Sequence, residues 1–458
     1  MSLIEENHQM VNRFDKFTKF TSWVGVLLSI LLFVYVYYRG EITFGGSRNS
    51  FYFKYYIVSI VGIFFWIAVL SLKEKLRANI LIVSISFVAS LYLVEGGLRL
   101  YQNQHQHHGI KFEDQRTKIE VLDDFIEKGI DAVPAVRPRD VLNLSEEILP
   151  LAGVANTTTV GENETGNWMI YPSDRYGFNN PDYEWDAEKT EWLLTGDSYT
   201  EGVAVQPGLD IAGQIREITG QSVINLGRGG NGPLMELAAI SEYAAHLKPK
   251  KVLWVYYEGN DLITDLARDK TSTILMRYLD KSFSQNLMSR QTEVDKILRK
   301  YILKEQADAE ARQFKYSWIR LHTIRRMTGL DAAIDDVDVD VDVDDVAAVD
   351  VDDPIFSKTL IRAKNMTEGW GGKLYFVYLP TLSRYNSVVE HDQYRKKLAV
   401  IELVKNLNIS VIDTHQEVFA KHDDPLALIL FRVHGHYNAE GYSKVAKAIV
   451  DGVKKHEH

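Results

Sequence analysis

The stretch "EWLLTGDSYTEG", residues 191–202, reads as a short apolar strand that runs directly into Gly-Asp-Ser. A serine at the tip of a strand is either part of a plain strand-to-helix turn or a nucleophile. The same strand-then-helix pattern repeats outward from it. "LDIAGQIREITG" follows as a helix closed by Gly220, and "SVINL" as a second strand. The Gly-rich "GRGGNGPLMELAAISEYAAHL" supplies a turn and a helix. "KVLWVYY", "KLYFVYL" and "LNISVID" are further strands, and "NAEGYSKVAKAIVDGVKK" is a closing amphipathic helix. Short apolar strands alternating with helices predict an α/β fold with a parallel sheet covered on both faces. Sites in such sheets lie beyond the carboxyl ends of the strands, which gathers Ser198, Gly230, Asn260 and the last loop in one place.

Ahead of this region lie three charge-free apolar runs, residues 22–38, 55–72 and 78–94. Each is close to the length that crosses a bilayer as a helix, about 17–25 residues. Tyrosines at the ends of the first two suit the membrane interface. The first run lacks a small-residue cleavage site and is read as a retained anchor. Arg13, Lys16, Lys19, Lys73, Lys75 and Arg77 outweigh Arg39, Arg48, Lys54 and Arg99. That balance puts the N-terminus inside and everything after residue 99 outside the cytoplasm, in the periplasm or beyond the cell. Glu95 and Arg99 are one helical turn apart and read as an ion pair.

Three parts are therefore expected: a membrane anchor over 1–100, a linker and helical lead-in over 101–173, and a catalytic-type domain over 174–458. His105, His107 and His108 read as solvated linker. "RTKIEVLDDFIEKG" has helical spacing, and "AVPAVRPRD" is loop-like. A helical insertion is expected over 262–365. It contains the Val-Asp run 335–353, a self-repelling low-complexity linker without the glycine of a calcium loop. The chain has 46% hydrophobic and 25% charged residues, no cysteine and a net charge of −10. These exclude disulfides and thiolate chemistry and argue against a nucleic-acid surface.

Four loops carry the chemistry. "GDSY" supplies Asp197 and Ser198, and "NLGRGGNGP" a glycine backbone open to close approach. "YEGND" supplies Asn260, and "HGHYNAEGY" supplies His434 and His436. A serine hydroxyl needs a base to become a nucleophile. A developing oxyanion needs fixed donors, each worth about 3–4 kcal/mol. The amides of Ser198 and Gly230 with the Asn260 side chain are three such donors. Asp197 and Asp261 read as structural residues.

These four blocks, with the lead-in "SDRYGFNNP", resemble the SGNH (GDSL-type) hydrolases over residues 174–454. The resemblance implies a flavodoxin-like three-layer αβα sandwich, with Ser198 as nucleophile and His436 as general base. It also implies an oxyanion hole of Ser198, Gly230 and Asn260, and no cofactor or metal. The family's aspartate, two or three residues before the histidine, is replaced by Val433 and His434. The expected substitute is a backbone carbonyl on His436. Asp423 and Asp424 are the alternative acids, and His434 is the alternative base. The function expected is a membrane-anchored serine esterase removing an O-acyl group, acetyl in the first instance, from a glycan or lipid. Two alternatives stand beside it. One is an O-acyltransferase modifying a cell-surface polysaccharide with the help of a membrane acyl-donor partner. The other is a non-catalytic binding protein on a degenerate fold. Tyr378, Arg384 and Tyr385 lie in "YLPTLSRY" as candidate ligand contacts or packing residues.

Overall fold

The structure is a computed structural model that describes residues 3–43, 49–105, 114, 116–142, 144–145, 147–313, 351–385, 392–433 and 435–457. His107, His108, His434 and the Val-Asp run up to residue 350 lie outside them, as does the side chain of Arg99. The chain divides into two compact units. One is built mainly from the chain up to residue 109, the other from residues 110–310 and the described chain from 351 onward.

Among the described residues, the first unit is built mainly of the helices Leu3–Tyr37, Asn49–Leu70 and Glu74–His105. Their segments Arg13–Tyr37, Tyr52–Leu70 and Glu74–Gly97 are long and apolar enough to cross a membrane. Helical hydrogen bonding carries on through the polar flanks, so the first and third helices outrun the apolar runs of the sequence. Large apolar side chains such as Phe64 and Leu93 point outward, as suits a lipid-facing surface. Gly25 leaves room for the Trp66 ring, where a Cβ would come within 2.4 Å, so the first two helices approach closely. Arg77 is buried and donates to Thr18 Oγ1 at 3.0 Å and to Asp15.

The second unit holds two sheets. The larger has five parallel strands: β4 (Trp192–Thr195), β5 (Val223–Asn225), β6 (Lys251–Tyr257), β7 (Lys373–Leu379) and β8 (Ser410–Asp413). The spatial order is β5-β4-β6-β7-β8, the doubly wound order of the flavodoxin-like fold. Strand side chains alternate between two cores. Val252, Trp254, Tyr256, Leu374 and Phe376 enter one, and Leu253, Val255, Tyr257, Tyr375 and Val377 the other. Helices Pro233–Ala239, Pro354–Gly369 and Asp392–Asn406 cover the first face. Helices Ile211–Thr219 and Ala439–Glu457 cover the second. This is the three-layer αβα sandwich. Strands are added on one side of β4 by β5 and on the other by β6, so the order of winding reverses there and the tips of β4 and β6 flank the switch-point crevice where sites form.

The smaller sheet consists of β1 (Ala132–Pro134), β2 (Thr158–Val160) and β3 (Ile170–Pro172). Strands β1 and β2 pair in parallel, β2 and β3 antiparallel. Helix Lys118–Glu127 starts at a capping box made by Thr117 and Glu120 and packs Val121 and Leu122 on Val160. Residues 110–173, read from sequence as linker and lead-in, therefore belong to the same unit as the large sheet. Val133, Val136, Leu149 and Val154 join Leu193, Ile224 and Trp254 in one core. Within "AVPAVRPRD", residues 132–134 form a strand and 138–141 a 3-10 turn rather than plain loop. The described residues of the insertion after β6 are largely helical, with Gln291–Gln313 their longest helix. The insertion ends at Gly369, not 365, because Pro354–Gly369 is the crossover helix onto β7.

Candidate active site

Ser198 opens a one-turn helix, Ser198–Glu201, directly beyond β4. Asp197 caps that helix, its Oδ1 accepting from the Tyr199 amide at 3.0 Å, and Gly202 ends it in the left-handed conformation. The turn is tight enough to require glycine before it. A Cβ on Gly196 would stand 2.1 Å from Thr200 Oγ1 and 2.8 Å from the Val255 carbonyl. Ser198 is held nearly out of solvent, at 3% exposure.

His436 Nε2 lies 2.8 Å from Ser198 Oγ. The histidine reaches it through an irregular turn in which Phe431 and Arg432 take positive φ, 50° and 67°. That turn is closed by the Leu430 amide on the His436 carbonyl at 2.9 Å and by the bridge between Ile429 and Tyr437. Tyr199 donates its hydroxyl to the Gly435 carbonyl and lays its ring 4.8 Å from the imidazole. The ring is thus fixed from several sides.

The other ring nitrogen, Nδ1, lies 2.8 Å from Glu164 Oε2. Glu164 stands in the loop between β2 and β3. That loop is pinned by the Gly161 amide on Met169 O at 2.8 Å, the Asp114 amide on Gly166 O at 2.9 Å and Asn163 Nδ2 on Asp114 O at 3.0 Å. A side-chain carboxylate thus stands where the sequence reading expected a backbone carbonyl. Asp424 is elsewhere: it is exposed and receives Arg432 Nη1 at 2.7 Å and Nη2 at 3.0 Å, and that pairing holds its carboxyl below the usual range. Glu164 escaped sequence reasoning because it sits in a polar loop, "GENETG", ahead of Ser198 and outside every block of the motif. Its one signal is that an acidic loop follows a strand in a stretch otherwise read as linker.

Asn260, at the tip of β6, donates through Nδ2 to Asp197 Oδ2 at 3.4 Å. Asp197 thus ties the β4 and β6 loops together. Gly230 has φ of 71°, and its carbonyl accepts from Arg268 Nη2 at 2.6 Å. The loop that carries it is bound to the Ser198 turn by the Arg228 amide on the Gly196 carbonyl at 3.2 Å and by Asn231 Nδ2 on the same oxygen at 3.4 Å. Glu201, on the turn after the serine, receives Arg228 Nη1 at 2.5 Å, the Tyr171 hydroxyl at 3.2 Å and the Gly229 amide at 2.6 Å. The lead-in is structural. Asp174 is buried and accepts from Tyr176, Phe178, Asn180 and Trp185 at 2.7–2.9 Å, and Asn180 passes the contact on to both backbone groups of Asn225 in β5.

Beneath the Asn260 loop lies a buried carboxyl group set. Burial and neighbouring acids push Glu236 and Asp261 well above the usual carboxylate range. Burial pushes Asp269 up to about 7 against the pull of Arg268. Asp261 accepts from the Tyr257 amide at 3.0 Å, which makes it a bracket for the end of β6. At the far side of the sheet Arg384 is committed to Glu258 in a fork at 2.8–3.1 Å, Tyr378 is buried, and the Tyr385 hydroxyl pairs with His415 Nδ1 at 2.7 Å. These three residues are packing and network groups in the structure.

Compared by sequence, the chain matches no family model and no curated protein. Compared by structure, it is similar to a member of the lipolytic protein G-D-S-L family from Veillonella parvula, at 14% identity and TM-score 0.31. That match spans 57% of this chain and 97% of that one. A lipase/acylhydrolase from Enterococcus faecalis gives 14%, TM-score 0.33, and 58% and 96% coverage. An acetyl-xylooligosaccharide esterase from Geobacillus gives 14%, TM-score 0.30, and 58% and 94% coverage.

Proposed function

We propose that the chain is a serine esterase of the SGNH type whose catalytic acid is Glu164. The observation that carries this reading is the continuous relay Glu164–His436–Ser198, with 2.8 Å at each link. Ser198 Oγ attacks the ester carbonyl while His436 Nε2 takes its proton. The carbonyl oxygen becomes an oxyanion facing the amides of Ser198 and Gly230 and the Asn260 side chain. Collapse expels the alcohol, which receives the proton from His436 and leaves an acyl-serine. Water, deprotonated by the same nitrogen, then releases the acid and restores the serine. Glu164 keeps the Nδ1 proton in place and stabilises the imidazolium between steps. A carboxylate at Nδ1 also removes the reason for reading the fold as a non-catalytic scaffold.

The substrate of this reading is an O-acylated glycan or lipid on the extracytoplasmic side of a membrane, to which the three apolar helices anchor the enzyme. Acyl transfer to a sugar hydroxyl is the second reading. The near-complete burial of Ser198 and His436, each 3% exposed, favours it, since transfer needs water kept from the acyl-serine. The test uses the full chain in detergent with a fluorophosphonate probe and an activated acetyl ester. Labelling and turnover that both vanish in Ser198→Ala and His436→Ala support the esterase. A folded wild-type chain that does neither refutes it.

A further inference from the structure

The chain beyond β6 runs through a π-type turn, Asp261–Asp265, straight into the helix Leu266–Asp269. Asn260 stands at the head of this run, its carbonyl accepting from the Thr264 amide at 3.0 Å and the Asp265 amide at 3.1 Å. Arg268 stands near the other end and reaches out to the glycine loop, where its Nη2 donates to the Gly230 carbonyl at 2.6 Å. Two acids of its own run hold the guanidinium. Asp265 Oδ1 lies 2.8 Å from Nη1, and Asp269 Oδ1 lies 3.0 Å from Nη2. Asp269 turns its second oxygen to the exit of the glycine loop, accepting from the Leu234 and Met235 amides at 3.2 Å each. The two segments touch. A Cβ on Gly232 would stand 2.6 Å from Asp269 Oδ2 and 2.9 Å from Asp265 Cβ. Gly230 itself sits in a turn closed by the Asn231 amide on the Arg228 carbonyl at 3.0 Å. Arg137 and Arg139 pack against Gly229 and Gly230 as well, and both pair with Asp140.

Resting on the esterase reading, we propose that Arg268 is a positioning residue that sets the separation of two oxyanion donors, the Gly230 amide and the Asn260 side chain. The loops that carry them leave β5 and β6, and β4 lies between those strands, so no ladder bond ties one loop to the other. Arg268 supplies the tie. A guanidinium presents its donors in one plane, so with Asp265 and Asp269 on it the Gly230 carbonyl is met from a narrow range of directions. With φ of 71° and its carbonyl pinned, Gly230 holds its amide in a set direction. Donors fixed before the charge develops are what an oxyanion hole contributes, and a donor that drifts loses most in the transition state. The effect of Arg268 therefore falls on kcat rather than KM.

The test uses the full chain in detergent and an activated acetyl ester, with each variant shown to be folded by its thermal midpoint. Arg268→Gln/Asp269→Asn removes the clamp together with one of its buried acids. It should lower kcat about 10–100-fold with KM changed less than about threefold. Arg268→Lys keeps the charge without the planar fork and should fall between this variant and the wild type. The pH dependence of kcat/KM, which reports the His436 relay, should not move, whereas a general loosening of the site would shift it. In an Asn260→Ala background the same double substitution should cost clearly less than it does in the wild type, because one of the two donors it positions is already gone. A folded Arg268 variant with kcat within about twofold of wild type, a shifted pH profile, or losses that multiply in full with Asn260→Ala overturns the proposal. A wild type without turnover takes down the esterase reading and this proposal with it. A wild type with turnover and unchanged Arg268 variants takes down this proposal alone.

Discussion

A histidine that takes a proton at Nε2 must hold its other proton at Nδ1, and an acceptor at Nδ1 selects that tautomer. Replacing Glu164 by glutamine leaves an amide that can turn its NH₂ toward the ring and stabilise the wrong form. Glu164→Gln is expected to lower kcat by about 10²–10⁴-fold with a much smaller change in KM, read from initial rates on an activated ester. Asp424→Asn removes only an exposed pair with Arg432 and should leave the same rates within about twofold. Ser198, Gly230 and Asn260 stand out in the sequence because each follows an apolar strand-like run, and His436 because its loop runs straight into an amphipathic helix. Glu164 does not, because the acid of this relay depends on where a loop from a separate sheet lands. Nothing in local spacing encodes that.

Strands and helices of the large sheet are legible for a physical reason. Runs such as "KVLWVYY" alternate between two apolar cores, and Gly220 and Pro233 mark helix ends. The three strands of the small sheet are each three residues long, too short for any period to show. What binds these elements together is the buried pair Arg228–Glu201. Arg228 also donates to the Val136 carbonyl and the Tyr171 hydroxyl, both at 2.6 Å, so one guanidinium joins the Gly-rich loop, β3 and the helix Ser198–Glu201. Arg228→Met would leave the Glu201 carboxylate buried with its charge partner gone. A loss of about 3–5 kcal/mol is expected from denaturant titration. Glu201→Gln added to Arg228→Met should recover part of it, since the uncompensated charge goes too.

At the scale of the whole molecule, the buried carboxyls Glu236, Asp261 and Asp269 make stability depend on pH. Each has its folded-state pKa raised by burial. The folded chain therefore keeps protons that the unfolded chain releases near pH 4. Stability from these groups is fully present below about pH 4. It is lost as pH rises, for Asp269 through about 7. The exposed acids paired with Arg175, Asp182 and Asp186, have lowered pKa values and act in the opposite sense, losing their small contribution as pH falls below about 4. The thermal midpoint should therefore peak at mildly acidic pH and decline toward pH 8. Glu236→Gln, which removes a proton requirement without removing volume, should raise the midpoint more at pH 8 than at pH 5, as differential scanning fluorimetry at both values would show.

The position of the small sheet also bears on how this protein can be cut. A fragment starting at Asp174 would retain every motif residue and all five strands of the large sheet. It would lack Glu164, the Tyr171 hydroxyl and the two arginines beside Gly229 and Gly230, and it would strip Val133 and Leu149 from the apolar core they share with Leu193 and Ile224. Such a fragment would be recovered, if at all, as an aggregating and nearly inert protein, and its inertness would be blamed on the missing aspartate of the motif. An excision that respects the architecture has to begin ahead of the helix Lys118–Glu127, so that the proton relay travels with the scaffold that holds it.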